Sequence, residues 1–259
     1  AQSWCPEGEI RGVLCIVHGM GEHSGRYAHV AEFFGKHGFA TIADDHYGHG
    51  KSQGKRGHVA SFEYFLEGVD NLLEEAEKTF PGIPKILYGH SLGGNIVLNY
   101  VTRKSPDLAG VVSTSAWLKL YMTPPRFKVW LAKKMDNIFP SYAENNGLDV
   151  TRISRDPEVV KKYKTDPLVH KKISARTFLE SYGHGYIAID NADKLDLPTL
   201  LLHGDEDHIT SHDASKEFAE KAGENTTFIS WKGGYHELHN EPDKEEVFRA
   251  MLEWLKKRV

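Results

Sequence analysis

One stretch, Ile83-Pro-Lys-Ile-Leu-Tyr-Gly-His-Ser-Leu-Gly-Gly94, limits what this chain can fold into more than any other. Ile86, Leu87 and Tyr88 have the pattern of a short buried strand, and Leu92 to Lys104 carries helical periodicity, so Ser91 falls on the turn between them. A turn that tight strains its central residue and brings the residues two before and two after it together. Glycine has no Cβ to collide there; Gly89 and Gly93 fill both places, and Gly94 lets the helix start pack on the strand. A serine hydroxyl is a poor nucleophile at neutral pH, so the elbow is meaningful only if a base and an orienting acid reach it.

The rest of the chain supplies the frame that such an elbow needs. Val13-Leu-Cys-Ile-Val17 is an apolar run of strand length that ends in the glycine-rich loop His18-Gly-Met-Gly-Glu-His-Ser-Gly-Arg-Tyr27. Helical spacing follows at Val30, Phe33 and Phe34, then the strand Phe39-Ala-Thr-Ile-Ala43 and a second glycine-rich loop, Asp44 to Ser52. Ser61 is placed to cap a long helix with apolar face Phe65, Leu66, Val69, Leu73, Ala76 and Phe80, which stops at Pro81-Gly82. After the elbow helix comes the strand Gly110 to Ser115. This alternation predicts an α/β fold, a mostly parallel sheet with helices on both faces.

From Trp117 to Asn191 the alternation breaks. No strand-like run occurs there, and two helical patterns, around Phe127 to Phe139 and Ile173 to Ile189, read as an inserted helical cap. The expected division is therefore a core of residues 1–116 and 192–259 with a cap of 117–191. The βα pattern resumes at Leu197 to His203, then a helix near Ala214 to Ala222, the strand Thr226 to Ser230 and a helix from Glu245, for which Asp243 and Glu246 form a capping box. A length of 259 residues suits one α/β domain with an insertion. The chain opens at Ala1, almost directly ahead of a buried strand, so a few residues or a first hairpin are expected to be missing from its front.

Composition narrows the function classes. A net charge of −4 argues against a nucleic-acid partner, which would need a basic face. No run approaches the ~20 apolar residues of a membrane span, and no charged-then-apolar stretch reads as a signal segment, so neither is expected. Cys5 in a loop and Cys15 inside a strand are expected to be unpaired thiols, which points to the cytoplasm. Among 15 histidines, His203, His208 and His212 invite a metal reading, but they lack helical ligand spacing, so no metal is expected.

In a fold of this kind the acid and the base follow the serine in chain order, on loops after late strands. The strand ending at His203 runs into Gly204-Asp-Glu-Asp-His208, and the later one into Gly233-Gly-Tyr-His-Glu-Leu-His239. Asp207 is assigned as the acid and His236 as the base, with Asp205, Glu206 and His239 as rivals that spacing alone leaves open. Asp45, in the wrong chain position, reads as a structural carboxylate binding loop amides. The tetrahedral oxyanion needs backbone donors. Leu92, after the nucleophile, supplies one at the helix start, and Met20, in a glycine loop that can approach the site, is the second; the bland alternative for that loop is a tight turn.

His18-Gly-Met-Gly-Glu-His-Ser-Gly-Arg-Tyr27, Asp45-His-Tyr-Gly-His-Gly-Lys-Ser52, Gly89-His-Ser-Leu-Gly-Gly94 and Gly234-Tyr-His236 together resemble the monoglyceride lipases, in the lysophospholipase-like branch of the α/β-hydrolases. The resemblance runs nearly end to end and implies a Ser91, His236 and Asp207 triad with Met20 and Leu92 as oxyanion donors. It also implies a polar outlet for glycerol at Glu22, Arg26, His239 and Tyr163, and, with the front truncated, a sheet of fewer strands. The implied activity is cofactor-free hydrolysis of monoacylglycerols, with a lysophospholipase or short-chain carboxylesterase as the rival enzyme and a non-catalytic ligand-binding protein as the remote one. In the cap, Phe127, Trp130, Leu131, Met135 and Ile138 form an apolar stripe that can line an acyl tunnel, touch a lipid surface transiently, or pack on the core. The expected partner is one small lipid ester; the sequence does not fix the oligomeric state.

Overall fold

The computed structural model describes every residue from Ala1 to Val259. Alternation within the apolar strands builds the molecule: in β2 (Gly12–Val17), Val13, Cys15 and Val17 point to one face and Leu14 and Ile16 to the other. The same split runs through β3 (Phe39–Ala43), β4 (Lys85–His90), β5 (Gly110–Thr114) and β8 (Thr199–Gly204), so both faces of the sheet are buried. Helices α2 (Glu63–Thr79), α3 (Leu92–Arg103) and α7 (His212–Ala222) cover the first face, and α1 (Ala28–Gly35) and α8 (Lys244–Leu255) the second.

The sheet has seven strands in the order β1-β3-β2-β4-β5-β8-β9, with β1 at Gln2–Trp4 and β9 at Thr226–Trp231. All neighbours are parallel except β1, which pairs antiparallel with the edge of β3 through Gln2 opposite Ala43 and Trp4 opposite Thr41. Three exposed or half-buried residues carry no periodicity, which is why β1 has no signal in the sequence.

Between β5 and β8 lie α4 (Arg126–Ile138), β6 (Ala143–Asn145), α5 (Pro157–Thr165), β7 (Lys172–Ser174) and α6 (Ala175–Asp190). This segment holds more than the two expected helices. β6 and β7 pair antiparallel, and α5 starts on Asp156, whose carboxylate accepts from the Glu158 N–H at 2.8 Å, with Pro157 at the first helical position. Two expected caps are absent. Helix α2 begins one residue beyond Phe62, whose N–H donates across to Glu180 of α6 at 2.8 Å, so Ser61 does not cap it. Asp243 makes no capping bond to α8, because its carboxylate accepts from Arg155 at 2.5 Å and from the Trp231 indole at 3.1 Å. Both cysteines are free; Cys15 is buried, and burial pushes its thiol up to about 12. No helix is long and apolar enough to cross a membrane.

Candidate active site

Ser91 stands at the C-terminal end of β4 with φ 54° and ψ −114°, a region that residues with a side chain rarely adopt. Its N–H donates to the Thr114 carbonyl of β5 at 3.0 Å, which ties the strained turn to the sheet. A Cβ on Gly89 would strike the Gly93 carbonyl and one on Gly93 the Val17 carbonyl, so the elbow closes only because both are glycine.

His236, on the loop after β9, places Nε2 2.9 Å from the Ser91 Oγ and Nδ1 2.7 Å from Asp207 Oδ2. The carboxylate fixes the proton on Nδ1, so Nε2 is free to accept the serine hydroxyl proton. All three side chains are at most 8% exposed. Asp207 is held from two sides: Oδ1 accepts the N–H groups of Ile209 and Thr210 at 2.7 and 3.0 Å, and Oδ2 also lies 3.1 Å from His203 Nε2 and 2.9 Å from the Thr210 hydroxyl. Burial alone would raise its pKa, but His236 and His203 hold it well below the ordinary carboxylate range. Burial would likewise lower the pKa of His236; Asp207 first, then Glu237 and Glu22, raise it instead.

The rivals stand elsewhere. Asp205 is exposed and accepts the Gly233 N–H, and Glu206 faces His208 at 3.5 Å. Asp45 binds the Ser24 N–H and hydroxyl and the Lys51 N–H, bracing both glycine-rich loops. His239 is fully buried and its ring stacks on Tyr27 at 4.8 Å with neither nitrogen partnered.

At the other side of Ser91, a Cβ on Gly19 would come within 3.3 Å of the serine Cβ, so the first glycine-rich loop runs in contact with the nucleophile. Neither the Met20 nor the Leu92 N–H donates to another protein group, leaving both available to an oxyanion. The Met20 sulfur rests 3.4 Å from His49 Nε2. Glu22 holds this loop: its Oε1 accepts from the Gly19 N–H at 2.7 Å and the Tyr27 hydroxyl at 2.8 Å.

A cavity of about 480 Å³ is lined by Ser91 and His236 together with residues of the segment between β5 and β8. Its lining combines apolar side chains, Leu120, Leu148, Ile153, Ile173, Phe178 and Ile209 among them, with polar ones that include Glu22, Glu237 and Tyr163 as well as Asn146, Asp149, Arg152 and His208. Arg26 does not face the cavity. Its guanidinium bonds both Glu22 and Glu237, the latter at 2.7 and 2.9 Å, and lies 4.7 Å from the Tyr163 ring centroid. Two carboxyl groups thus share one cation.

The expected contact of Arg26 with substrate therefore needs correcting, because the cation is turned onto Glu22 and Glu237, and two further expectations need it as well. His239 is absent from the cavity wall because the turn Leu238–Asn240 folds its ring inward onto Tyr27. Phe127, Trp130 and Leu131 are absent too: α4 has no buried residue, and these side chains are 65, 59 and 50% exposed on the outer surface. Sequence reasoning in turn missed Glu237, Thr210 and His203. Only Glu237, next to His236, had a positional signal; the others act through bonds between side chains.

The family model described as serine aminopeptidase, S33 matches residues 8–243. An uncharacterized abhydrolase domain-containing protein of Dictyostelium discoideum is 36% identical over the whole chain, which spans 28% of that longer protein. The monoacylglycerol lipase of Mycolicibacterium smegmatis is 35% identical over 97% of this chain and 90% of its own length. Among solved structures, Paleococcus ferrophilus monoacylglycerol lipase superposes with a TM-score of 0.91 at 38% identity, covering 100% of this chain and 98% of that one. Fold and site together define a serine hydrolase of the α/β class. Within that class the chain belongs to the serine aminopeptidase S33 family, in the branch that holds the monoglyceride lipases.

Proposed function

We propose that the protein hydrolyses monoacylglycerols to fatty acid and glycerol through an acyl-enzyme on Ser91. The observation that carries this reading is the lining of the cavity: Ser91 and His236 share one cavity with a set of apolar side chains and with Glu22, Glu237 and Tyr163. Such a mixed lining suits an ester that joins an acyl chain to a small polyol. Ser91 attacks the ester carbonyl as its proton passes to His236 Nε2, and Asp207 stabilises the imidazolium. Met20 and Leu92 N–H groups take the oxyanion. The imidazolium then protonates the departing glycerol oxygen, and a water deprotonated by His236 releases the fatty acid and restores Ser91.

Similarity to the Mycolicibacterium and Paleococcus lipases supports the substrate class. The exposed apolar side chains of α4 support transient contact of the cap with the lipid surface that delivers such a substrate. The test is covalent labelling with a fluorophosphonate followed by peptide mapping, beside glycerol release from a monoacylglycerol. Label on Ser91 and a loss of about 10⁵ or more in kcat for Ser91→Ala are expected. Label elsewhere, or near-normal glycerol release by Ser91→Ala, would overturn the reading, and faster cleavage of an amino-acid arylamide would replace the ester by a peptide-like substrate.

A further inference from the structure

Two imidazoles converge on one oxygen of Asp207. His236 Nδ1 is 2.7 Å from Oδ2, and His203 Nε2 is 3.1 Å from the same atom. His203 is wholly buried at the end of β8, and its other nitrogen, Nδ1, meets the Ser215 hydroxyl of α7 at 2.7 Å. Donation to a carboxylate fixes the His203 proton on Nε2, so Nδ1 accepts from Ser215 and the ring is locked at both ends. We propose that His203 is a positioning residue of the hydrolytic site, which tunes the basicity of His236 by competing with it for Asp207 Oδ2. This rests on Ser91, His236 and Asp207 acting as proposed above.

The physical effect has a definite sign. A carboxylate oxygen that accepts a second N–H gives up part of its charge to that donor and stabilises a neighbouring imidazolium less. Removing the second donor leaves Asp207 freer to stabilise protonated His236, so the pKa of His236 rises. Neutral His236 is the form that accepts the Ser91 proton, so the acid limb of kcat/KM moves to higher pH. The other groups facing this set stay in place: His212 of α7 at 5.8 Å from the His203 ring, Thr210 on Asp207, His90 at 4.8 Å from the His236 ring, and Glu22 and Glu237 in the cavity lining.

A purely structural role for His203 would change stability and leave the pH profile where it was. The experiment is the pH profile of kcat/KM on a soluble short-chain ester for wild type, His203→Phe, His203→Gln and Ser215→Ala, each checked for folding by circular dichroism. His203→Phe, which keeps the ring and loses the donor, should raise the apparent pKa of the acid limb by about half a unit or more. His203→Gln, whose amide nitrogen can replace Nε2, should return the limb towards wild type. Ser215→Ala, which unlocks the ring, should shift it upward by less, and carries the test alone if the phenylalanine variant does not fold. An unmoved or lowered limb in folded His203→Phe, or in Ser215→Ala if it stands alone, overturns the proposal. Failure of the triad reading would be seen separately, as activity surviving in Ser91→Ala.

Discussion

Asp205, Glu206 and Asp207 follow β8 within one turn, and the fold separates them by what it places around each. Only Asp207 is buried against His236, whereas Asp205 braces a loop amide at the surface. Asp207→Asn should therefore cost about 10⁴ in kcat by favouring the wrong tautomer of His236, while Asp205→Asn should cost far less; steady-state kinetics of the two variants decide it, and the reverse ranking would move the acid. The raised pKa of His236 sets a second expectation. Its protonated form, which cannot accept the serine proton, persists to higher pH than for an ordinary histidine. The acid limb of kcat/KM should thus lie above about pH 6.5, and a limb at or below that value would contradict the placement of Asp207 beside Nδ1. Ser91, Asp207 and His236 could be nominated from the sequence because each stands on a glycine-marked loop after an apolar strand. Spacing alone left Asp205, Glu206 and His239 open: burial separates Asp207 from the other two carboxylates, and ring direction separates two buried histidines, His236 towards Ser91 and His239 onto Tyr27, and neither is written in spacing. Thr210 and His203 were illegible for a related reason: their roles exist only once Asp207 is folded back against them.

At the scale of elements, the apolar strands and their buried helices follow directly from periodicity, while the cap shows where periodicity misleads. The stripe Phe127, Trp130, Leu131 and Ile138 has helical spacing and does form a face of α4, yet that face turns outward. Amphipathic spacing says that a helix has an apolar side, not what covers it. Helix α5 was missed although Asp156-Pro157 marks its start, because its residues are mostly polar and short of a full apolar stripe. The corrected position of α4 gives a prediction: Trp130→Ala should leave kcat/KM on a soluble short-chain ester within about twofold of wild type and stability within about 0.5 kcal/mol, read by kinetics and thermal melting. A tenfold loss on that ester would return Trp130 to the substrate channel.

Over the whole molecule, the segment between β5 and β8 is joined to the sheet domain next to Met20 and His236. The His170 N–H donates to the Gly21 carbonyl at 2.8 Å, next to Met20, and the Glu237 N–H to Ile153 of that segment at 2.7 Å, next to His236. A cavity of about 480 Å³ suits a single acyl chain, so triacylglycerols, with two further chains to accommodate, should be poor substrates, and each methylene added to a monoacylglycerol should improve binding by about 0.8 kcal/mol until the cavity is full. Where Glu22 and Glu237 line the cavity, their carboxyl groups suit hydroxyl groups and disfavour a phosphodiester, whose negative charge would be desolvated against them. The most direct measurement is kcat/KM for a monoacylglycerol against a lysophosphatidylcholine of the same acyl chain in one detergent. The monoacylglycerol should be favoured by about tenfold or more, whereas equal rates or a preference for the phospholipid would contradict the proposed substrate and leave a lysophospholipase on the same Ser91, Asp207 and His236.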